Sequence, residues 1–205
     1  MRRIYPNVIS VVAIVLAFFF ALPALFGRAD AQTFGSSYTS TAEKNCRVKK
    51  TEPDGSVSVC PGKAGLIVLV SEDDLRQTVS VGRNEKAAEN EPAASSGFGP
   101  FNLTTDTVEW RAVDGKPFAI IQRWHISDDS ETDKNGRPVG RALLVVTRLP
   151  PGPVCHVAHV DVRANPNANE LARQIADETA RDFKCGKDEV KIAGQAGRAT
   201  ELAKH

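Results

Sequence analysis

The sequence lacks an excess of charge of either sign. Its 205 residues carry 26 lysines and arginines against 25 aspartates and glutamates. Residues 1–31 hold three of the arginines and one of the aspartates, so the rest of the chain keeps 23 basic and 24 acidic side chains. A surface so balanced has no field to gather a polyanion, which argues against nucleic acid or an anionic membrane as partner. The chain also lacks a G-x-S-x-G nucleophile elbow and a glycine-rich phosphate loop, two local signatures of hydrolytic and nucleotide chemistry.

A cysteine close behind the N-terminal apolar run is missing too, which argues against a lipid-anchored lipoprotein. What stands there is a signal-peptide pattern. Arg2 and Arg3 precede an apolar run from Val8 to Phe26, and Ala29-Asp30-Ala31 gives an A-x-A cleavage site. Cleavage leaves Gln32 as the first mature residue and takes the only membrane-length run with it. The expected location is therefore the periplasm or the medium.

An oxidising compartment turns the four cysteines into disulfides. Three connectivities are possible, and geometry favours one. Cys46 and Cys60 flank "RVKKTEPDGSVSV". A five-residue loop from Thr51 to Gly55 would set Val48 opposite Ser58 and Cys46 opposite Cys60. Cys155 lies near the start of a strand, Val154 to Arg163, of roughly 30 Å. A helix over Pro166 to Lys184 is of similar length, roughly 28 Å, and can return Cys185 to Cys155. Both pairs formed leave no thiol to act as a nucleophile.

Along the chain, Gln32 to Asn45 reads as a loose, polar lead-in. "GLIVLV", "RQTVSVG", "TVEWRAV", "PFAIIQRWHI", "RALLVVTRL" and "VCHVAHVDV" read as strands by alternation or by apolar runs of strand length. Asn84 to Gly97 is low in hydrophobicity and reads as a mobile loop. Ala168, Leu171, Ala172, Ile175, Ala176, Thr179 and Phe183 form one helical stripe, with Asn165 as the cap. Arg173, Asp177 and Arg181 fall opposite that stripe, at spacing for i,i+4 pairs. Gly186 suits the helix exit, and the residues after it read as a frayed tail.

The expected fold is α+β: one antiparallel sheet of about eight strands with a C-terminal amphipathic helix packed on it. Its expected bounds are a signal peptide at 1–31, a flexible lead-in at 32–45, a single domain at 46–186 and a tail at 187–205. Strands apolar on both faces need cover on both, with the N-terminal hairpin strands or a curl of the sheet supplying what the helix does not.

Four residues are candidates for binding: Arg123, His125, His159 and Asp161. Arg123 and His125 share a strand face away from Trp124 and suit an anion or carboxylate. His159 shares a face with Asp161 and could hydrogen-bond near the helix start. His156 and His159 have H-x-x-H spacing, but residues three apart on a regular strand point to opposite faces. They could share a metal only across a bulge, so no metal site is expected, and His156 is expected to pack in the core. "DDSETDKNG" resembles a calcium loop, but Ala142 stands where a bidentate glutamate is needed, so it reads as a solvated hairpin loop.

"CPGKAGLIVLVSEDDLRQTVSVG", "TVEWR", "VVTRL" and "VCHVAHVDVRANPNAN" together resemble an uncharacterised family of small exported Gram-negative bacterial proteins with paired cysteines. The resemblance spans about Cys46 to Cys185. It implies export and shared cysteines, and supplies no catalytic residue. The expectation is a monomeric, non-enzymatic envelope protein without cofactor that binds a protein, a wall fragment or a small molecule. The alternative is a periplasmic hydrolase with His125 or His159 as base.

Overall fold

The computed structural model describes residues 32–51, 53 and 55–204, so the signal-peptide pattern of residues 1–31 lies outside the described residues. Val48 pairs with Ser58 and Thr51 with Gly55, the register that the five-residue loop demands. The strands involved, β2 (Arg47–Thr51) and β3 (Gly55–Pro61), continue into β4 (Ile67–Asp73) and β5 (Arg76–Gly82). These four form an antiparallel meander in sequence order. Cys46 bonds Cys60 across its first hairpin, with Cα atoms 4.3 Å apart. The free edge, β2, carries Arg47, Lys49 and Lys50, charges that discourage pairing with another chain.

A second sheet gathers strands from both ends of the described chain. Its order is β1 (Phe34–Ser40), β6 (Asn102–Val113), β7 (Lys116–Thr132), β8 (Pro138–Arg148), β9 (His156–Asp161) and β10 (Lys191–Ile192). All neighbours are antiparallel except β9 and β10, so the sheet is mixed. Leu143 and Val145 face one core and Leu144 and Val146 the other. The four-stranded sheet covers the first face through Val68, Val79 and Val81, against Val108, Trp110, Ile120 and Trp124. Helix α2 (Ala168–Thr179) covers the second, and Ala172 and Ala176 let its backbone lie close over Ala158 and Val160. Cys155–Cys185 ties the far end of that layer, with Cα atoms 5.9 Å apart. All four cysteines are paired.

The α+β class and the helix-on-sheet packing stand. The single sheet of about eight strands does not: ten strands among the described residues divide between two sheets. Helix α2 is shorter than its stripe, and Asn167 rather than Asn165 precedes it.

Three segments expected to be loose are built into the fold. The lead-in is β1, paired from Phe34↔Val113 to Ser40↔Thr107. It is polar because it is an edge strand whose Ser36 and Tyr38 hydrogen-bond to charged side chains. The Asn84–Gly97 stretch holds α1 (Glu85–Glu89), capped by the Asn84 side chain, and a 3-10 turn at Pro92–Ser95. Ala88, Ala93 and the adjoining Phe98 are buried there, so small apolar residues do what a long apolar run would do elsewhere.

The tail supplies β10 and α3 (Arg198–Leu202). Asn165 pins it: its amide donates to the Gln195 carbonyl (2.8 Å), and its Oδ1 accepts from the Gln195 N–H (2.8 Å). That use explains why Asn165 does not cap α2.

The polar stripe of α2 is also corrected. Arg173 donates to Glu109 at 2.7 Å, and Asp177 accepts two bonds from Arg111 at 3.0 and 2.6 Å. These side chains bind β6 instead of pairing with each other in solvent. Arg181 lies over the Phe34 and Phe118 rings.

Candidate functional site

The outward face of β7 runs Ile121, Arg123, His125, Ser127. Ile121 packs in the α2 core. Arg123 stands at the helix edge, in a hollow of about 240 Å³ with Asn169, Arg173 and Tyr38. His125 lies past the helix, on the floor of a separate hollow of about 510 Å³. The two share a face as the alternation requires, but open into different spaces. Burial, and then the Arg123 charge, lowers the His125 pKa below its ordinary value. His125 is therefore a neutral group at neutral pH, not part of a cationic pair for an anion.

His159 and Asp161 also share a face, but no hydrogen bond joins them. Asp161 serves the backbone: Oδ1 accepts from the Ala164 N–H (2.9 Å) and Oδ2 from the Ala199 N–H (2.8 Å). Gly197 passes so close that a Cβ there would lie 2.5 Å from Asp161 Oδ2. Asp161 thus anchors α3 and is a structural residue.

His156 behaves differently from a regular strand residue. The β8–β9 register shifts between Val146 and Thr147, so that Ala158 pairs with Val146 and His156 with Thr147. Val157 is the extra residue of a bulge, which re-aims the side chain before it. His156 and His159 therefore face the same core, with ring centroids 5.6 Å apart. They are 7% and 9% exposed. Burial pushes the pKa of His159 down to about 4, and burial with the neighbouring His159 pushes His156 down to about 3. Both rings are neutral at neutral pH.

The 510 Å³ hollow lies between the β4–β5 turn and the starts of β6 and β8. Asp74 and Leu75 take left-handed backbone angles, φ 47° and 60°, and the turn presents Leu75 to solvent. Leu75, Phe101 and Leu103 are 61%, 42% and 54% exposed. Scattered apolar side chains are ordinary at a surface, but here three large ones line one concavity with Pro138. Their backbone is held firmly. Arg76 donates to the Gly99 carbonyl (2.7 Å) and lies 4.7 Å from the Phe101 ring centroid. Buried Asn102 accepts from the Gln77 N–H (3.1 Å), and Gln77 Oε1 accepts from the Thr104 N–H (2.7 Å).

Of the four candidates, only His125 lines this hollow. Leu75, Phe101 and Leu103 were missed by sequence reasoning. Phe101 and Leu103 did carry a signal: counted back from "TVEWRAV" they fall on the face of Glu109 and Arg111, opposite Val108 and Trp110, so two large apolar residues stand where the alternation faces away from the core. Another hollow, beside α3, is lined by Arg141, Arg163 and Arg198, but Asp128 already takes Arg141 and Arg198 at 2.9 Å each. Among the described residues no three His, Cys, Asp or Glu side chains are grouped as a metal site, and no helix is long and apolar enough to cross a membrane.

No protein family, curated protein or solved structure matches the chain. The site is therefore read from its own chemistry. A concavity with an apolar rim, one carboxylate (Glu72) and a few neutral polar groups can seat an apolar anchor and fix its orientation.

Proposed function

We propose that the protein is an exported, non-enzymatic envelope protein, monomeric and disulfide-stabilised, that seats an apolar side chain of a partner protein in the hollow of Leu75, Phe101, Leu103 and His125. The observation that carries this reading is the convergence of three large, exposed apolar side chains on one concavity of about 510 Å³. Exposed aromatic and aliphatic groups around a pocket are what an interface anchor packs against. The floor favours the same occupant: His125 is neutral, and Arg76 is already engaged with Gly99 and Phe101. A charged or sugar-rich wall fragment would find few free donors there.

Export is supported by the A-x-A pattern after an apolar run and by two disulfides. The charged β2 edge supports a monomer. The hydrolase reading draws no support from the geometry, because among the described residues no carboxylate is hydrogen-bonded to His125 or His159.

The test is panning of a displayed random-peptide library on the immobilised protein. Enriched peptides should carry aromatic or aliphatic anchors, and should lose at least tenfold in affinity for Leu75→Asp and Phe101→Asp. Enriched peptides that bind both variants as tightly as the parent would overturn the proposal. Binding of a muropeptide at the hollow, with no peptide enriched, would replace the occupant.

A further inference from the structure

The core between the two sheets holds a set of polar atoms that the binding reading does not use. Gln122 Oε1, His156 Nε2 and His159 Nε2 are buried without a hydrogen-bond partner. Buried polar atoms in folded proteins nearly always have one; the Gln122 amide donates to the Thr105 carbonyl on β6 (2.9 Å), so the two neighbouring imidazoles are the pair that calls for a common ligand. Their placement follows from register. Gln122 and His159 both pair with Val145, one from each side, so the two flank it on the same face. The bulge at Val157 adds His156 in the next row, opposite Thr147.

The dimensions suit one ion between the rings. Two imidazoles that share an ion at about 2.0–2.1 Å per metal–nitrogen bond have ring centroids roughly 5 to 6.5 Å apart, according to the angle at the metal. The observed separation is 5.6 Å. Neither Nε2 has a partner among the described residues, which leaves both lone pairs free for ligation. Phe98 covers the pair, with its ring centroid 6.0 Å from His156, 5.5 Å from His159 and 4.9 Å from Trp124.

The charge of the donor set selects the ion. Two imidazoles are neutral donors, and among the described residues no thiolate or carboxylate joins them as a third ligand. A divalent ion would keep its full charge in an apolar core, at a steep desolvation cost. A monovalent ion keeps half that charge. Imidazole nitrogen suits copper, and cuprous copper accepts two or three ligands. We propose that His156 and His159 form a buried site for a single cuprous ion beneath Phe98. This site is independent of the peptide hollow, and either can fail alone.

The test is an anaerobic titration of the oxidised protein, without thiols, with the acetonitrile complex of copper(I) against a chromophoric cuprous chelator. One equivalent should bind per chain. His159→Asn and His156→Asn should each weaken binding at least a hundredfold, and His125→Ala not at all. Because a buried substitution can unfold the chain, imidazole nitrogen NMR of the unaltered protein gives a second readout: Nε2 of His156 and His159 should shift on copper addition, with His125 unmoved. Failure of the unaltered protein to compete for copper would overturn the site. So would full uptake by the folded His159→Asn variant, or shifts confined to histidines elsewhere. Saturable zinc(II) shifts at the same two rings, with none from copper, would overturn the cuprous assignment.

Discussion

Ile121 and His125 stand on the same face of β7, but α2 covers the first and leaves the second open. The difference is one of length. Helix α2 has 12 residues, about 18 Å, whereas the 17 residues of β7 extend to roughly 56 Å. Under the helix, alanines bring backbone close to backbone, and Glu109 and Arg111 of β6 meet Arg173 and Asp177 in ion pairs, the Arg111–Asp177 pair largely shielded from water. Beyond the helix, the same sheet face meets Leu75, Phe101 and Leu103 instead of a covering element. One strand face thus divides between a half that holds the fold together and a half that is free to bind.

That division can be attacked from either side. The largest expected effect is loss of the Cys155–Cys185 bridge, which closes a 30-residue separation at the end of the covered half. Cys155→Ser or Cys185→Ser should each lower stability by roughly 3–4 kcal/mol on the loop-entropy account, measured by urea unfolding. The double variant should be no worse than either single. Peptide affinity of the still-folded fraction should be unchanged; a matching loss of affinity would show that the halves are not separable.

Next is Arg111→Ala, which removes three charge-assisted bonds, to Asp177 and Ser36, from a largely buried site. A loss of about 2–3 kcal/mol is expected, read as a lower Tm, again with binding intact.

A smaller effect belongs to Asp128 on β7. The Arg198 guanidinium, the Ser130 hydroxyl and Arg141 hold its carboxyl well below the usual carboxylate range. A carboxyl depressed in the folded state adds stability above its unfolded value near 3.9, and this contribution is lost as pH falls below that value. The Tm of Asp128→Asn should therefore lie below that of the unaltered protein at pH 6, with the gap closing below about pH 4. A gap independent of pH would mean that Asp128 acts by packing alone.

The smallest stability effect should come from the open half. Leu75→Asp and Phe101→Asp are expected within about 0.5 kcal/mol of the unaltered protein, as for other exposed positions, while peptide binding falls at least tenfold. Aspartate tolerates the left-handed backbone of position 75 better than most residues do.

What was legible in the sequence tracks how local each determinant is. The Val48↔Ser58 register and both disulfides follow from loop length and element reach, which a single stretch of chain contains. The bulge at Val157 depends on how β9 meets β8, so the opposite-face argument for His156 and His159 failed on information not present in "VCHVAHVDV". Polarity misled for β1, because an edge strand can spend its side chains on hydrogen bonds. Arg173 and Asp177 misled because partners waiting on β6 made a solvent face into a contact face. The hollow was hidden for the same reason: Leu75 and Leu103 are 28 positions apart, and only the two-sheet packing brings them together.

The most direct test of the divided face is a backbone amide NMR titration of the unaltered protein with one selected peptide. The account predicts shifts at Leu75, Phe101, Leu103 and His125, with Arg111, Ile121 and the residues of α2 unmoved. Shifts centred on α2 and Arg123, or a peptide that binds without moving the hollow, would contradict it.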